Sequence, residues 1–196
     1  MAYLNKLATL VPLAMIVAAC SNDAKAPSDS AAASTVSSSS TTAHAAVNDS
    51  AGQQVAMATL TQDSAGTVHI EIRARGLSAG EHGVHFHTVG TCTAPTFASA
   101  GGHFNPDTTK HHGLDNPAGP HAGDLPNMLV DSAGNANYTA TTNRVSLTVG
   151  PNSLFDSDGS ALVIHATADD NMSDPAGNAG GRIGCGLIEK GAAPAA

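Results

Sequence analysis

Apolar and polar positions alternate along this chain in short runs that never settle into a helical period. Val55, Met57, Thr59 and Thr61 alternate with Ala56, Ala58 and Leu60, which predicts a strand. The turn Asp63-Ser64-Ala65-Gly66 leads into a second expected strand over 67–75. There Val68, Ile70 and Ile72 share one face, and His69, Glu71 and Arg73 share the polar one, which leaves His69 solvated. After a loop over 77–83 comes Gly83-Val84-His85-Phe86-His87. Alternation sends His85 and His87 to one side of that strand, with His82, Val84 and Phe86 on the other. Further strands are expected over 128–130, 137–142, 145–149, 161–165 and 184–188. Short strands separated by turns, with no helix period, predict an all-β domain, either sandwich or barrel.

The pattern lapses in three places. Residues 88–125 carry Gly, Pro, His, Asn and Asp but no strand signal. So long a loop counts against a compact domain unless something other than a core orders it. A second irregular stretch covers 169–182. The third is the N-terminal part. Lys6 followed by an apolar run that is too short to span a bilayer reads as an export signal over 1–19. The run ends Val17-Ala18-Ala19-Cys20, which resembles the cleavage box of bacterial lipoproteins. That resemblance implies a lipid on Cys20 and, with Ser21 next, anchoring to the outer membrane from the periplasmic side. Residues 20–46 are then a disordered Ala/Ser/Thr tether with His44 as a bystander, and the domain is expected over 47–196.

Charge and cysteines narrow the function classes. Lys plus Arg number 8 against 16 Asp plus Glu, which argues against a nucleic-acid partner. Of three cysteines, lipidation of Cys20 leaves Cys92 and Cys185 as a pair in an oxidising compartment.

The histidines change the picture most. His85, His87, His103, His111 or His112, His121, Asp124 and His165 are all candidate metal ligands. Six imidazoles exceed one four-coordinate ion and suit two ions sharing a ligand. His103 could be shared if it lost both ring protons. Four histidines suit copper, and three with a carboxylate suit zinc.

Gly-Val-His-Phe-His-Thr-Val-Gly (83–90), Gly-Gly-His-Phe-Asn-Pro (101–106), His-Ala-Gly-Asp (121–124) and Gly-Asn-Ala-Gly-Gly-Arg-Ile-Gly-Cys-Gly (177–186) strongly resemble copper/zinc superoxide dismutases. Thr91-Cys92-Thr93, with Pro95, Phe97 and Ser99-Ala100-Gly101-Gly102-His103, resembles the bacterial branch. The resemblance covers residues 47 to 190. It implies a Greek-key β-barrel of about eight antiparallel strands with long metal-binding and electrostatic loops. It also implies that superoxide is converted to oxygen and hydrogen peroxide in a ping-pong copper cycle.

The same resemblance implies copper at His85, His87, His103 and His165. Zinc is expected at His103, one of His111 and His112, His121 and Asp124. Family spacing counted forward from His103 favours His111, and spacing counted back from His121 favours His112. The run His112-Gly113-Leu114 with Asn116-Pro117 tips the choice to His112. Asp169 is expected to link His85 and His112, Arg182 to bind the substrate anion, and Cys92 to pair with Cys185. His103 would carry a proton to the peroxide product.

The acids Asp169, Asp170 and Asp174 lack the lysines that many relatives keep nearby, and Lys110 is the candidate replacement. A metal-buffering protein on the same fold is the rival, against which the complete ligand set and Arg182 argue. A copper-only enzyme would lack His121 and Asp124. Monomer and homodimer both stay open.

Overall fold

The computed structural model describes residues 40–194. Ten strands form within them: β1 Thr41–Asn48, β2 Gln54–Gln62, β3 Val68–Ala74, β4 Gly80–His82, β5 Val84–His87, β6 Met128–Val130, β7 Ala136–Thr142, β8 Ala161–His165, β9 Arg182–Leu187 and β10 Glu189–Lys190. The one helical piece among the described residues is the 3-10 turn Ala98–Ala100. An antiparallel sheet runs β5-β8-β9-β1-β2-β3-β7, with β10 also pairing β1, and β4 pairs β6 separately. Residues 143–160 carry the chain from β7, at one end of that order, to β8, next to the other. This is a Greek-key crossing, and the sheet curls as a barrel does.

Alternation builds the core. In β3, Val68, Ile70, Ile72 and Ala74 are buried while His69, Glu71 and Arg73 face water. His69 there meets Asp63 at 3.0 Å. Strands β5 and β8 are buried on both faces. Val84, Phe86, Leu162 and Ile164 join the barrel core, whereas Ala161 and Val163 pack with Phe97, Ala100 and Cys185 in a second cluster. The loop between β5 and β6 therefore covers the outer face on which His85 and His87 lie.

Three expectations need correction. The domain begins at Thr41, not near residue 47, because β1 pairs β2 from Thr41↔Gln62 to Asn48↔Gln54. Its buried residues Ala43 and Ala45 are too small to stand out from an Ala/Ser/Thr tether. His44 is accordingly no bystander: its side chain is 12% exposed and its Nδ1 lies 3.3 Å from the Gly191 carbonyl. Residues 145–149 form no strand. Val145 and Leu147 do enter the core, but the Leu147 N–H donates to the Gln62 side chain at 2.8 Å and Ser146 N–H to Asn152. Val145 and Leu147 plug the core from a loop whose Ser146 and Leu147 amides bond outside any strand. The last expected strand divides into β9, starting two residues earlier, and the short β10. The expected signal, Cys20 and tether residues before 40 lie outside the described residues.

A chain starting at residue 47 should lose the β1–β2 ladder and open the core. It should show no cooperative thermal unfolding, while a chain starting at residue 40 unfolds in one transition.

Candidate metal centre

Backbone bonds bring the long loop onto β5. Phe86 N–H donates to Gly123 O at 2.9 Å, Phe104 N–H to Phe86 O at 2.8 Å, and Gly123 N–H to Phe104 O at 2.8 Å. A Cβ at Gly123 would sit 2.4 Å from the Phe86 oxygen, so only glycine permits this approach. The closure sets His103 opposite His87 and Asp124 opposite His85. His165 ends β8 at a bulge and faces Arg182 on β9.

Two donor sets result, both buried. In the first, His85, His87, His103 and His165 each offer a ring nitrogen within 4.8 Å of the others. In the second, His103, His112, His121 and Asp124 do the same. Hydrogen bonds at the outer nitrogens decide which atoms converge. His85 Nε2–H donates to Asp169 Oδ2 at 2.6 Å, His87 Nδ1–H to Gly101 O at 3.0 Å and His165 Nδ1–H to Gly180 O at 3.2 Å. The opposite atoms, His85 Nδ1, His87 Nε2 and His165 Nε2, are buried without hydrogen-bond partners, as is His103 Nε2. Lone pairs left facing one another this way fit a cation.

The second set closes on one carboxylate oxygen. Asp124 Oδ1 lies 2.9, 3.1 and 3.5 Å from Nδ1 of His103, His112 and His121. Its Oδ2 accepts the Gly113 and His121 amides, each at 2.9 Å. Asp169 spans the two sets, since its Oδ1 accepts from His112 Nε2 at 3.0 Å while Oδ2 holds His85. His111, one residue away from His112, turns outward to Asp174.

Electrostatics divides the sets. Burial lowers the His85, His87 and His165 imidazoles to about 3, 2 and 4, so they stay neutral, as metal ligation requires. Burial lowers His103 as well. At His112 burial acts downward, but hydrogen bonds to Asp124 and Asp169 outweigh it and raise the group to about 9. Burial would push the Asp124 carboxyl up, yet its bonds to His103, His112 and His121 hold it far below the usual range. The second set therefore stabilises positive charge. Four nitrogens suit copper, and three nitrogens with one carboxylate oxygen suit zinc.

Arg182 borders the first set. Its Nη1 and Nη2 donate to Phe97 O at 2.6 Å and Gly101 O at 2.5 Å, and the latter carbonyl also accepts from His87. Gly101 has φ +75, and a Cβ there would meet Thr88 Oγ1 at 2.4 Å. Cys92 and Cys185 are bonded, with Cα atoms 5.7 Å apart, which ties this loop to β9.

A profile of the copper/zinc superoxide dismutase (SODC) family matches residues 54–188. The chain belongs to this family. It is 48% identical over 148 residues to "Superoxide dismutase [Cu-Zn] 2" of Aquifex aeolicus, covering 74% of this chain and 85% of that one. The Caulobacter vibrioides "Superoxide dismutase [Cu-Zn]" is 38% identical over 76% of this chain and 86% of its own. The crystal structure of a SOD-like protein from Bacillus subtilis superposes with a TM-score of 0.70 at 38% identity, covering 74% of this chain and 96% of that one. Copper and zinc are the cofactors of this family, and both donor sets fit them.

Two supporting residues escaped the sequence reading. Asn127 clamps the Asp169 backbone, donating to its carbonyl and accepting its N–H, both at 2.8 Å. Arg144 donates to the Asp124 carbonyl at 2.6 Å. Neither sits in a ligand motif; their only signal is closeness to Asp124 or to a strand end. Lys110 lines a cavity of about 270 Å³ with Asn105, Asp107 and Arg144.

Asp169→Asn leaves one oxygen to serve two ring N–H groups and sets its NH2 against the other. Affinity for metal should fall about 10- to 100-fold in chelator competition, with the fold retained by circular dichroism.

Proposed function

We propose that the chain is a superoxide dismutase that converts two superoxide anions and two protons into oxygen and hydrogen peroxide. The observation that carries this reading is the convergence of four unpartnered imidazole nitrogens beside Arg182, with His103 shared with a carboxylate-containing set. His85, His87, His103 and His165 would hold copper, which would supply one-electron chemistry for a ping-pong cycle, and His103, His112, His121 and Asp124 would hold zinc, which would supply fixed charge.

The chain's own residues do the remainder. Arg182 attracts and orients the small anion in a protein of net charge −8, whose overall field opposes it. Two backbone carbonyls restrain its guanidinium and so limit the ordering needed on binding. His85, His87 and His165 keep their ring protons on the outer nitrogens, bonded to Asp169, Gly101 and Gly180. His103 differs, because the partner of its Nδ1 is Asp124, a member of the second set, and not a group outside both sets. Its Nε2 is therefore the atom that takes a proton in one half of the cycle and yields it to peroxide in the other. Asp169 fixes the tautomers of His85 and His112.

We place the enzyme in the cell envelope. The expected signal over 1–19, Cys20 as lipid attachment point and the polar tether support outer-membrane anchoring from the periplasmic side. The Cys92–Cys185 bond agrees with an oxidising compartment.

His165→Ala should lose copper and essentially all dismutation while keeping the zinc set. Arg182→Ala should keep both metals yet lower kcat/KM about tenfold or more and flatten its dependence on ionic strength. Full metal occupancy with negligible turnover in the parent protein would overturn the enzyme reading. For localisation, Cys20→Ala should move the protein from the membrane to the soluble envelope fraction and abolish labelling by a fatty-acid analogue.

A further inference from the structure

Three carboxylates meet at His112. Asp124 faces its Nδ1 and Asp169 accepts from its Nε2, and both acids are 1% exposed. The third is Asp174, whose Oδ1 accepts the His112 backbone N–H at 2.7 Å and whose Oδ2 accepts from His111 Nδ1 at 2.6 Å. Asp174 and His111 differ from the other two in being open to water, with side chains 48% and 56% exposed.

Asp174 is presented by a turn that holds itself together. The Asp170 carboxylate accepts the Met172 and Ser173 amides and the Asn178 side chain, and Gly177 N–H donates to Ser173 O at 2.7 Å. The zinc-set loop interlocks with that turn. Asp115 N–H donates to Asn171 O at 3.0 Å, and the Asn116 amide bridges His112 O and Met172 O at 2.9 and 3.2 Å. Gly113, with φ +108, packs so closely that a Cβ would lie 2.2 Å from Asn171 O. Glycine gives the backbone just after His112 its greatest freedom, so restraint there must come from a neighbouring contact. Asp174 provides it on the N-terminal side.

We propose that Asp174, braced by His111, is a positioning residue that clamps the His112 backbone and sets how fast zinc leaves. This rests on the zinc assignment of His112. Water can compete for the exposed His111–Asp174 contact, and through it for the half-buried bond to the His112 N–H, more readily than for the buried bonds to Asp124 and Asp169, so release begins at this latch. His111, the extra histidine in the zinc loop, thereby acts on the zinc set without ligating the ion.

The test uses the full domain with copper at its own site and either zinc or cobalt(II) at the second. Asp174→Ala removes both arms, Asp174→Asn keeps an oxygen for the His112 N–H, and His111→Ala removes the brace alone. Zinc release to excess chelator should quicken about tenfold in Asp174→Ala and by a smaller factor in the other two. The visible cobalt bands should shift in Asp174→Ala, and the copper electron-spin spectrum should not. The melting temperature of metal-free protein should match the parent's. Unchanged release and cobalt bands in Asp174→Ala would overturn the proposal, as would equal destabilisation of metal-free and zinc-loaded protein. Should Asp174→Ala fail to fold, His111→Ala decides, supporting the latch if release quickens and sinking it if not. His112→Ala is the control. If it keeps the cobalt bands, the zinc assignment and the latch both fall; if it loses them while Asp174→Ala changes nothing, only the latch falls.

Discussion

A neutral imidazole has one proton to give, and three rings of this site have already given theirs outward. His85, His87 and His165 donate to Asp169, Gly101 and Gly180, so their inner nitrogens are bare acceptors in a buried space. A buried acceptor without a partner costs roughly 1–3 kcal/mol. With His103 Nε2 there are four, close enough to raise one another's cost. The arrangement is reasonable only around a cation, and burial keeps the rings neutral and ready for one. The second set differs in that Asp124 draws three Nδ1 atoms around one oxygen and so favours positive charge there.

The loops depend on that need for a cation. The segment between β5 and β6 has little apolar content of its own. It is held by the Phe86, Phe104 and Gly123 backbone bonds, by the second apolar cluster and by the Cys92–Cys185 link. The link closes 93 residues of chain. By loop entropy it contributes about 4–5 kcal/mol. Ion binding adds to the same hold, since ligands from β5, β8 and the loop meet at one point. Arg182 shares this frame, because the Gly101 carbonyl that restrains it also orients His87. The orientations of Arg182 and His87 are thus coupled through one peptide.

Legibility in the sequence followed side-chain size. Strand β3 alternates Val and Ile with charges and reads plainly. Strand β1 alternates Ala with Thr, His and Asn, and its Ala43 and Ala45 look like tether until β2 is seen to cover them. Val145 and Leu147 were legible as buried but not as unpaired, because burial pattern does not say where backbone N–H groups go. The ligand motifs stood out because six candidate histidines and Asp124 cluster in and beside Gly-rich stretches. Spacing could not separate His111 from His112, since a loop has no period. Asp174, distant in sequence, turns His111 outward, while Asp124 and Asp169 surround His112. Asn127 and Arg144 hold backbone atoms, a role that leaves no mark in a motif.

Anomalous scattering at the copper and zinc absorption edges from metal-loaded crystals would locate both ions. Two separate peaks are expected, with the His103 ring between them. Copper should lie among His85, His87, His103 and His165, and zinc among His103, His112, His121 and Asp124. A single ion, or a zinc peak ligated by His111, would contradict this assignment.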